Sequence, residues 1–231
     1  MAAIRDIEVV VFDILGTLVD EPRGLRAGLR AELPTSSDDA SVNALFTMWQ
    51  EHREHEQQRI KQGRRTYANT AIIDAEAAQR VADHAGLTDP AAVNRLATAG
   101  QRLPPWPDSV VGLERLTQHY PVLGLSNADR ATLLRLNTHA RLRWHQALSA
   151  EAASAYKPAP EVYQLALDAA GCPPQRVLMV AAHAWDLREA QAQGMRTAYV
   201  RRAVGDPPTS SDNFDWQFSG LSELVSAMTA E

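Results

Sequence analysis

The chain has 231 residues, 45% hydrophobic and 22% charged, with a formal net charge of −5. That is enough chain to bury one large α/β core, or a core with a smaller satellite, and the charge leaves no global basic field for nucleic acid. A single cysteine, Cys172, excludes an internal disulfide framework and a cysteine-based zinc site, while Asp6 and Glu8 interrupt any leader-like apolar stretch and no membrane-length apolar run occurs.

Taken in chain order, residues 7–12 (IEVVVF) form a short, β-branched apolar run that suits a central parallel strand covered on both faces. Residues 21–103 then carry polar helical patterns and no convincing buried strand. The stretch from Ser41 reads as one helix stopping at Gly63, and the stretch from Thr70 as a second stopping at Gly86. A third follows Asp89, its N-cap, with Pro90 in the first turn. Three prolines in LPPWPDS (103–109) mark the return of the chain, and Asp108 is placed to cap the helix that follows. Apolar runs at 120–125, 176–181 and 197–200 repeat the type of the first strand, with helices between them that stop at Gly171 and Gly194. Strands alternating with short helices predict a doubly wound parallel α/β sheet of Rossmann-like form, built from residues 1–20 and 104–231. Residues 21–103 are expected to form a small α-helical cap domain inserted after the first strand. A cap at that point lies over the carboxyl ends of the strands, where open α/β sheets bind ligands. A soluble, cytoplasmic protein with no membrane and no nucleic-acid partner is expected.

Four polar clusters fall at the carboxyl ends of these strands: Asp13 with Thr17, Ser126 with Asn127, Lys157, and Asp186. A Ser-Asn pair after a strand is ordinarily a turn, and a lysine before proline is ordinarily solvated. Together, in this order, they bring two carboxylates, a hydroxyl, an amide and an ammonium to one crevice. An aspartate beside a lysine stays ionised there, which is what a carboxylate nucleophile needs. The basic run RIKQGRR (59–65) reads as a solvated helix end or as a positive rim that draws in an anionic substrate. His52 and His55 stand three apart with no third metal ligand near them in sequence.

The order Asp-x-x-Gly-Thr, Ser-Asn, Lys-Pro and a late Asp resembles the haloacid dehalogenase superfamily over nearly the whole chain. More narrowly, LSNADR (125–130), YKPAPEVYQLA (156–166), AWD (184–186) and PPWPDS (104–109) resemble segments of the type II L-2-haloacid dehalogenases. Most of the superfamily are Mg²⁺-dependent phosphatases, which carry a second aspartate two residues after the nucleophile and an acidic pair near the last motif. Here those positions are Leu15 and Ala182. A phosphoryl-bridging cation wants several oxygen ligands and the alkoxide leaving group wants a proton donor, whereas a halide leaves without either. No metal and no cofactor is therefore expected.

The resemblance implies that Asp13 attacks the halogen-bearing carbon of a short (S)-2-haloacid to form an ester, and that water attacks the Asp13 carboxyl carbon to release the (R)-2-hydroxyacid. It implies that Lys157 keeps Asp13 ionised, and that Thr17 and Asp186 orient Asp13, Lys157 and water. Ser126 binds the substrate carboxylate, Asn127 cradles the halide and Tyr163 supports the Lys157 loop. Ile14, Leu15 and Trp185 belong to the substrate wall. The resemblance also admits a homodimer.

Three positions depart from the family. An arginine that follows the cap tryptophan is Gln50 here, and Arg53, one helical turn on, is placed to compensate, with Arg59 a more distant candidate. The family's Ser-Ser-Asn before Ala-Trp-Asp is Ala181-Ala182-His183, and His183 is expected either to donate to the halide or to accept a proton from the ester-cleaving water. Leu15 replaces a tyrosine. Two alternatives stand beside dehalogenation: a Mg²⁺-dependent phosphatase or phosphonatase-like hydrolase, and a non-catalytic binding protein on the same fold.

Overall fold

Val9–Asp13 (β1) is buried at every position and runs through the middle of a six-stranded, all-parallel sheet. The other strands are Val122–Ser126 (β2), Gln146–Ser149 (β3), Val177–Ala181 (β4), Arg196–Val200 (β5) and Trp216–Phe218 (β6), in the order β3-β2-β1-β4-β5-β6. The computed structural model describes residues 4–35 and 37–230. The outermost parts of the expected domain bounds, Met1–Ala3 and Glu231, lie outside it, as does Ser36.

Among the described residues, four helices follow β1 directly: Glu21–Glu32 (α1), Asp39–Lys61 (α2), Thr70–Ala85 (α3) and Pro90–Ala97 (α4). The rest are Ser109–Leu116 (α5), Arg130–Ala140 (α6), Pro160–Ala170 (α7), Ala184–Ala192 (α8) and Leu221–Thr229 (α9). Alternation along β1 sends Val10 and Phe12 into one apolar cluster with residues of α5, α6 and α9, and Val9 and Val11 into another with residues of α7 and α8. The sheet is thus covered on both faces, which is why its central strands read as continuous apolar runs. After β1 the chain builds outward through β2 and β3, then crosses back to lay β4 on the other side of β1. That reversal opens a crevice at the carboxyl ends of β1 and β4.

The third and fourth helices match their expected signals, while the second starts at Asp39, two residues before the expected Ser41, behind an Asp38 cap. Asp89 accepts from the Ala91 N–H, Pro90 follows it, and Gly86 closes α3 in the left-handed region. The first helix has no counterpart among the helices read from sequence, because Gly24 and Gly28 interrupt its pattern. The structure gives their reason: a Cβ at Gly24 would stand 2.6 Å from Leu103 Cδ2, so a small residue is needed where α1 meets the returning chain. The edge strands β3 and β6 also went unseen. Both are short and partly exposed, with no apolar run to mark them.

One cap expectation is corrected. Asp108 precedes α5 but makes no capping bond; its carboxylate takes Arg202 Nη1 at 2.8 and 3.0 Å and the Leu221 N–H at 2.9 Å. It ties the returning chain to the segment after β5 instead. Among the described residues no helix is long and apolar enough to cross a membrane.

Candidate active site

The strand ends converge as the sequence implied. β1 closes on Asp13, β2 on Ser126, Lys157 stands in the loop after β3, and His183 to Asp186 lead from β4 into α8. Lys157 Nζ lies between the two carboxylates, 3.1 Å from Asp13 Oδ1 and 2.8 Å from Asp186 Oδ2. Its side chain is 1% exposed and that of Asp186 is fully buried. Burial pushes Asp13 upward, but the Lys157 ammonium, then His183 and Thr17, hold its carboxyl below the usual carboxylate range. Asp186 moves the other way: burial, and the neighbouring Asp13 charge, raise it against the pull of Lys157. Lys157 itself stays raised, since two carboxylates outweigh the cost of burying the ammonium.

Thr17 Oγ1 donates to Asp13 Oδ2 at 2.7 Å and accepts the Ala182 N–H at 2.9 Å, so its hydroxyl hydrogen is committed to Asp13. His183 Nδ1 lies 3.1 Å from the same Oδ2. The imidazole rests on the turn after β1. Gly16 has φ +81°, and a Cβ there would fall 2.6 Å from His183 Cε1, so glycine is required for both conformation and space. Tyr163 donates to Asp186 Oδ1, Asn127 Oδ1 accepts the Lys157 N–H at 2.8 Å, and Ser126 Oγ accepts the Ala128 N–H at 3.2 Å.

Asp13, Lys157, His183, Ser126 and Asn127 line one side of a cavity of about 150 Å³ between the sheet edge and the helices that follow β1. Asp13, Leu15, Ser126, Asn127, Lys157, His183 and Trp185 come from the sheet side; Glu21, Gln50, Arg53, Glu54 and Gln57 come from α1 and α2. Leu15 and Trp185 supply apolar wall as expected. Arg53 reaches the cavity as the compensation for Gln50 requires, and it arrives with partners. Its Nη1 donates to Glu21 Oε1 at 2.7 Å and to Gln50 Oε1 at 3.3 Å. Its Nε lies 3.1 Å from Asp74 Oδ1 without hydrogen-bond alignment, and both atoms lack a hydrogen-bond partner. Burial works against the guanidinium charge, but Asp74 and Glu21 hold it firmly protonated. Asp74 is pushed up to about 6 by burial, and by Glu21 and Asp129, against Arg53.

Several sequence expectations are corrected. Ile14 was expected at the substrate wall and Tyr163 beside the Lys157 loop, yet neither lines the cavity. The Ile14 side chain is fully buried in the core, where it fills the space above Gly124, and Tyr163 is spent on Asp186 instead of on the Lys157 loop. Thr17 and Asp186 stand behind the wall and contact Asp13 and Lys157, the two groups they were expected to orient. Arg59 turns to Glu56 and Arg65 is divided between Glu56 and Glu76, while Lys61 and Arg64 are exposed at the helix end, in keeping with the solvated reading of the basic run.

Glu21, Asp74, Glu54 and Gln57 were not singled out in the sequence. Arg53 on the cavity wall and Asp74 beside it had a readable signal. Leu45, Trp49, Arg53 and Glu56 follow one another at helical spacing on α2, and Asp74, Ala77, Ala78 and Val81 do so on α3. In each case a charge continues an apolar stripe.

The set fits a divalent cation poorly. Lys157 already occupies both aspartates, the position four residues before Asp186 is Ala182, and hard cations want several free oxygens. What the arrangement does supply is an ionised, desolvated carboxylate facing an apolar wall, with a guanidinium across the cavity.

Comparison with known proteins agrees with this picture. Residues 7–194 match the family model described as haloacid dehalogenase-like hydrolase. The (S)-2-haloacid dehalogenase 4A of Burkholderia cepacia is 29% identical over 98% of this chain and 94% of its own. A solved L-2-haloacid dehalogenase superposes with a TM-score of 0.88 at 29% identity, covering 97% of this chain and 100% of its own. The L-2-haloacid dehalogenase of Xanthobacter autotrophicus, solved with chloropropionic acid covalently bound, superposes with a TM-score of 0.78 at 25% identity, over 95% of this chain and 97% of its own.

Proposed function

This chain belongs to the haloacid dehalogenase-like hydrolases, and from that premise we propose that it is a hydrolytic dehalogenase converting short (S)-2-haloacids to (R)-2-hydroxyacids and halide through an ester on Asp13. The observation that carries the proposal is the Asp13–Lys157 contact beside Leu15 on one cavity wall. An ionised carboxylate stripped of water is a nucleophile, and Leu15 offers a phosphate ester's leaving group no proton. Asp13 forms an oxygen–carbon bond at C2 of the acid as the carbon–halogen bond breaks, and the bonding pair leaves with the halide. Attack from the face opposite the halogen inverts C2. Water then attacks the Asp13 carboxyl carbon, so inversion is retained in the hydroxyacid.

Arg53, Ser126 and Asn127 are the groups proposed to hold the substrate carboxylate and the departing halide. Arg53 takes the part that Gln50, lacking charge, cannot. Lys157 keeps Asp13 ionised, and Asp186 and Tyr163 fix Lys157. A covalently bound acid in the Xanthobacter enzyme supports the ester route. The cytoplasm is the location proposed for the protein, and a small anionic acid its partner; sedimentation decides the homodimer that the resemblance admits.

The test is halide release from chloro-, bromo- and fluoroacetate and from both enantiomers of 2-chloropropionate, with and without Mg²⁺ and EDTA. The expected result is release from the (S)-enantiomer, insensitive to metal. In a single turnover in ¹⁸O-water, label enters Asp13 and not the first hydroxyacid; label appearing first in the hydroxyacid rejects the ester. Metal-dependent phosphate release from small esters, with no halide from any acid, rejects dehalogenation itself.

A further inference from the structure

Given that Asp13 is the group alkylated, as proposed above, we infer that His183 and Thr17 form an oxyanion hole on Asp13 Oδ2 that serves hydrolysis of the ester and not its formation. The two oxygens of Asp13 are unequally employed. Oδ2 has Thr17 Oγ1 at 2.7 Å and His183 Nδ1 at 3.1 Å, while Oδ1 has Lys157 Nζ at 3.1 Å. An ionised carboxylate has about four acceptor sites, roughly two per oxygen. Among the described residues, Oδ2 therefore has both sites filled and Oδ1 keeps one. Oδ1 is the oxygen with an electron pair to give to carbon.

When Oδ1 is alkylated, Oδ2 becomes the carbonyl oxygen of the ester. Water adds to Cγ, and the π pair moves onto Oδ2, where two donors already point. Collapse of the adduct breaks the Cγ–Oδ1 bond and releases the hydroxyacid. One water proton ends on the product's hydroxyl, the other passes to solvent, and Asp13 returns as a carboxylate. Donors aimed in advance at the atom where charge develops are the most effective electrostatic catalysts.

The donors are held for this. Thr17 accepts the Ala182 N–H, so its own hydrogen goes to Asp13. The imidazole lies against Gly16 and is tilted on the Trp185 ring at 5.7 Å between centroids. The groups that face it are Asp13, Asp186 and Lys157; Asp206 pairs with its backbone, and Glu21, Glu54 and Arg53 stand across the cavity. A carboxylate oxygen only accepts, so the ring nitrogen 3.1 Å from Asp13 Oδ2 is the one that carries a hydrogen; burial disfavours the imidazolium, but the ionised Asp13 and the Asp186 carboxylate raise His183 against burial and Lys157. This contact adds a third role to the two read from sequence: Nδ1 is on the nucleophile's second oxygen.

The experiment is rapid-quench measurement of halide and hydroxyacid with wild type, H183L and H183N, with intact-protein mass at each time. H183L has no donor: halide is expected in a burst of about one per protein at a rate within a few-fold of wild type. Turnover then slows by about 100-fold, and the ester accumulates as an adduct on Asp13. H183N keeps an N–H donor, so its hydrolysis stays within about 10-fold of wild type. A burst slowed in step with turnover, an H183L enzyme that hydrolyses its ester at the wild-type rate, or an H183N enzyme as slow as H183L each overturns the oxyanion role. Wild type that releases no halide from any 2-haloacid overturns the dehalogenase proposal instead, and with it this one.

Discussion

Two buried clusters face each other across the cavity, and each places one cation between two carboxylates. At the sheet edge, Lys157 stands between Asp13 and Asp186. In the helices above, Arg53 stands between Glu21 and Asp74. The difference lies in how the contacts are completed. Both Lys157 contacts are hydrogen bonds, and the other oxygens of its carboxylates take Thr17, His183 and Tyr163. In the Arg53 cluster, Nε and Asp74 Oδ1 approach without a hydrogen bond, and Asp74 is driven toward its neutral form. A completed cluster fixes a charge for bond making. An incomplete one at a cavity wall is free to exchange partners, which is the part that the function proposed above gives to Arg53 toward a substrate anion.

The largest effects come from breaking the completed cluster. D13N removes the nucleophile, and kcat is expected to fall by about 10⁴-fold or more with the fold intact by circular dichroism. A variant that retained turnover would move the nucleophile elsewhere. K157M leaves two buried carboxylates with no cation, which costs on the order of 3–5 kcal/mol of stability at neutral pH. Urea unfolding checks the sign. Asp186 is already raised in the folded state, so in K157M it binds a proton more tightly folded than unfolded. The stability gap to wild type should narrow as pH falls from 8 to 5.

The two clusters also differ in how far the sequence disclosed them. The sheet-edge group was legible because strand ends announce themselves. A buried apolar run stopping at Asp13, and others stopping near Ser126 and Asp186, place those side chains on one edge by topology alone. The helical group has no such anchor. Arg53 was reached only as a stand-in for Gln50, and Glu21 follows Asp13 through a turn and a helix start that Gly24 hides. Asp74 lies on an apolar stripe whose neighbour in space is fixed by helix packing, which a single sequence does not specify. Tyr163 was legible as part of its motif, but its partner was not, since Asp186 is 23 residues away. The edge strands β3 and β6 escaped for a related reason: their order comes from pairing, not from their own residues.

Smaller effects sharpen the contrast from the helical side. R53Q removes the charge facing the sheet, and KM for a haloacid is expected to rise by about 10- to 100-fold while kcat changes only several-fold, a split that steady-state kinetics resolves. R53K should recover part of the loss, since it restores charge without the planar fork. Glu21 holds the same guanidinium nitrogen that an incoming carboxylate would use, at 2.7 Å. E21Q weakens that competitor, and KM should drop by about 3- to 10-fold, as expected from weakening one charged hydrogen bond. A rise in KM would mean that Glu21 positions Arg53 rather than competes for its ligand.

The smallest expected effect is on stability alone, and its sign separates the two kinds of cluster. Burial raises Asp74 to about 6 in the folded protein, above the value of about 4 of an unfolded chain. The folded state therefore holds this proton more tightly, and the penalty of ionising Asp74 is absent below about pH 4, grows between about 4 and 6, and is complete above that. D74N replaces the carboxylate by a neutral group of the same shape, while Arg53 keeps Glu21. D74N should thus be the more stable protein at pH 7.5 by on the order of 1–3 kcal/mol, with the gain vanishing near pH 4. Urea midpoints at four pH values between those limits measure it. Destabilisation at pH 7.5 would mean that Arg53 and Asp74 form a completed pair like Lys157 and Asp186, and the distinction between the clusters would fall.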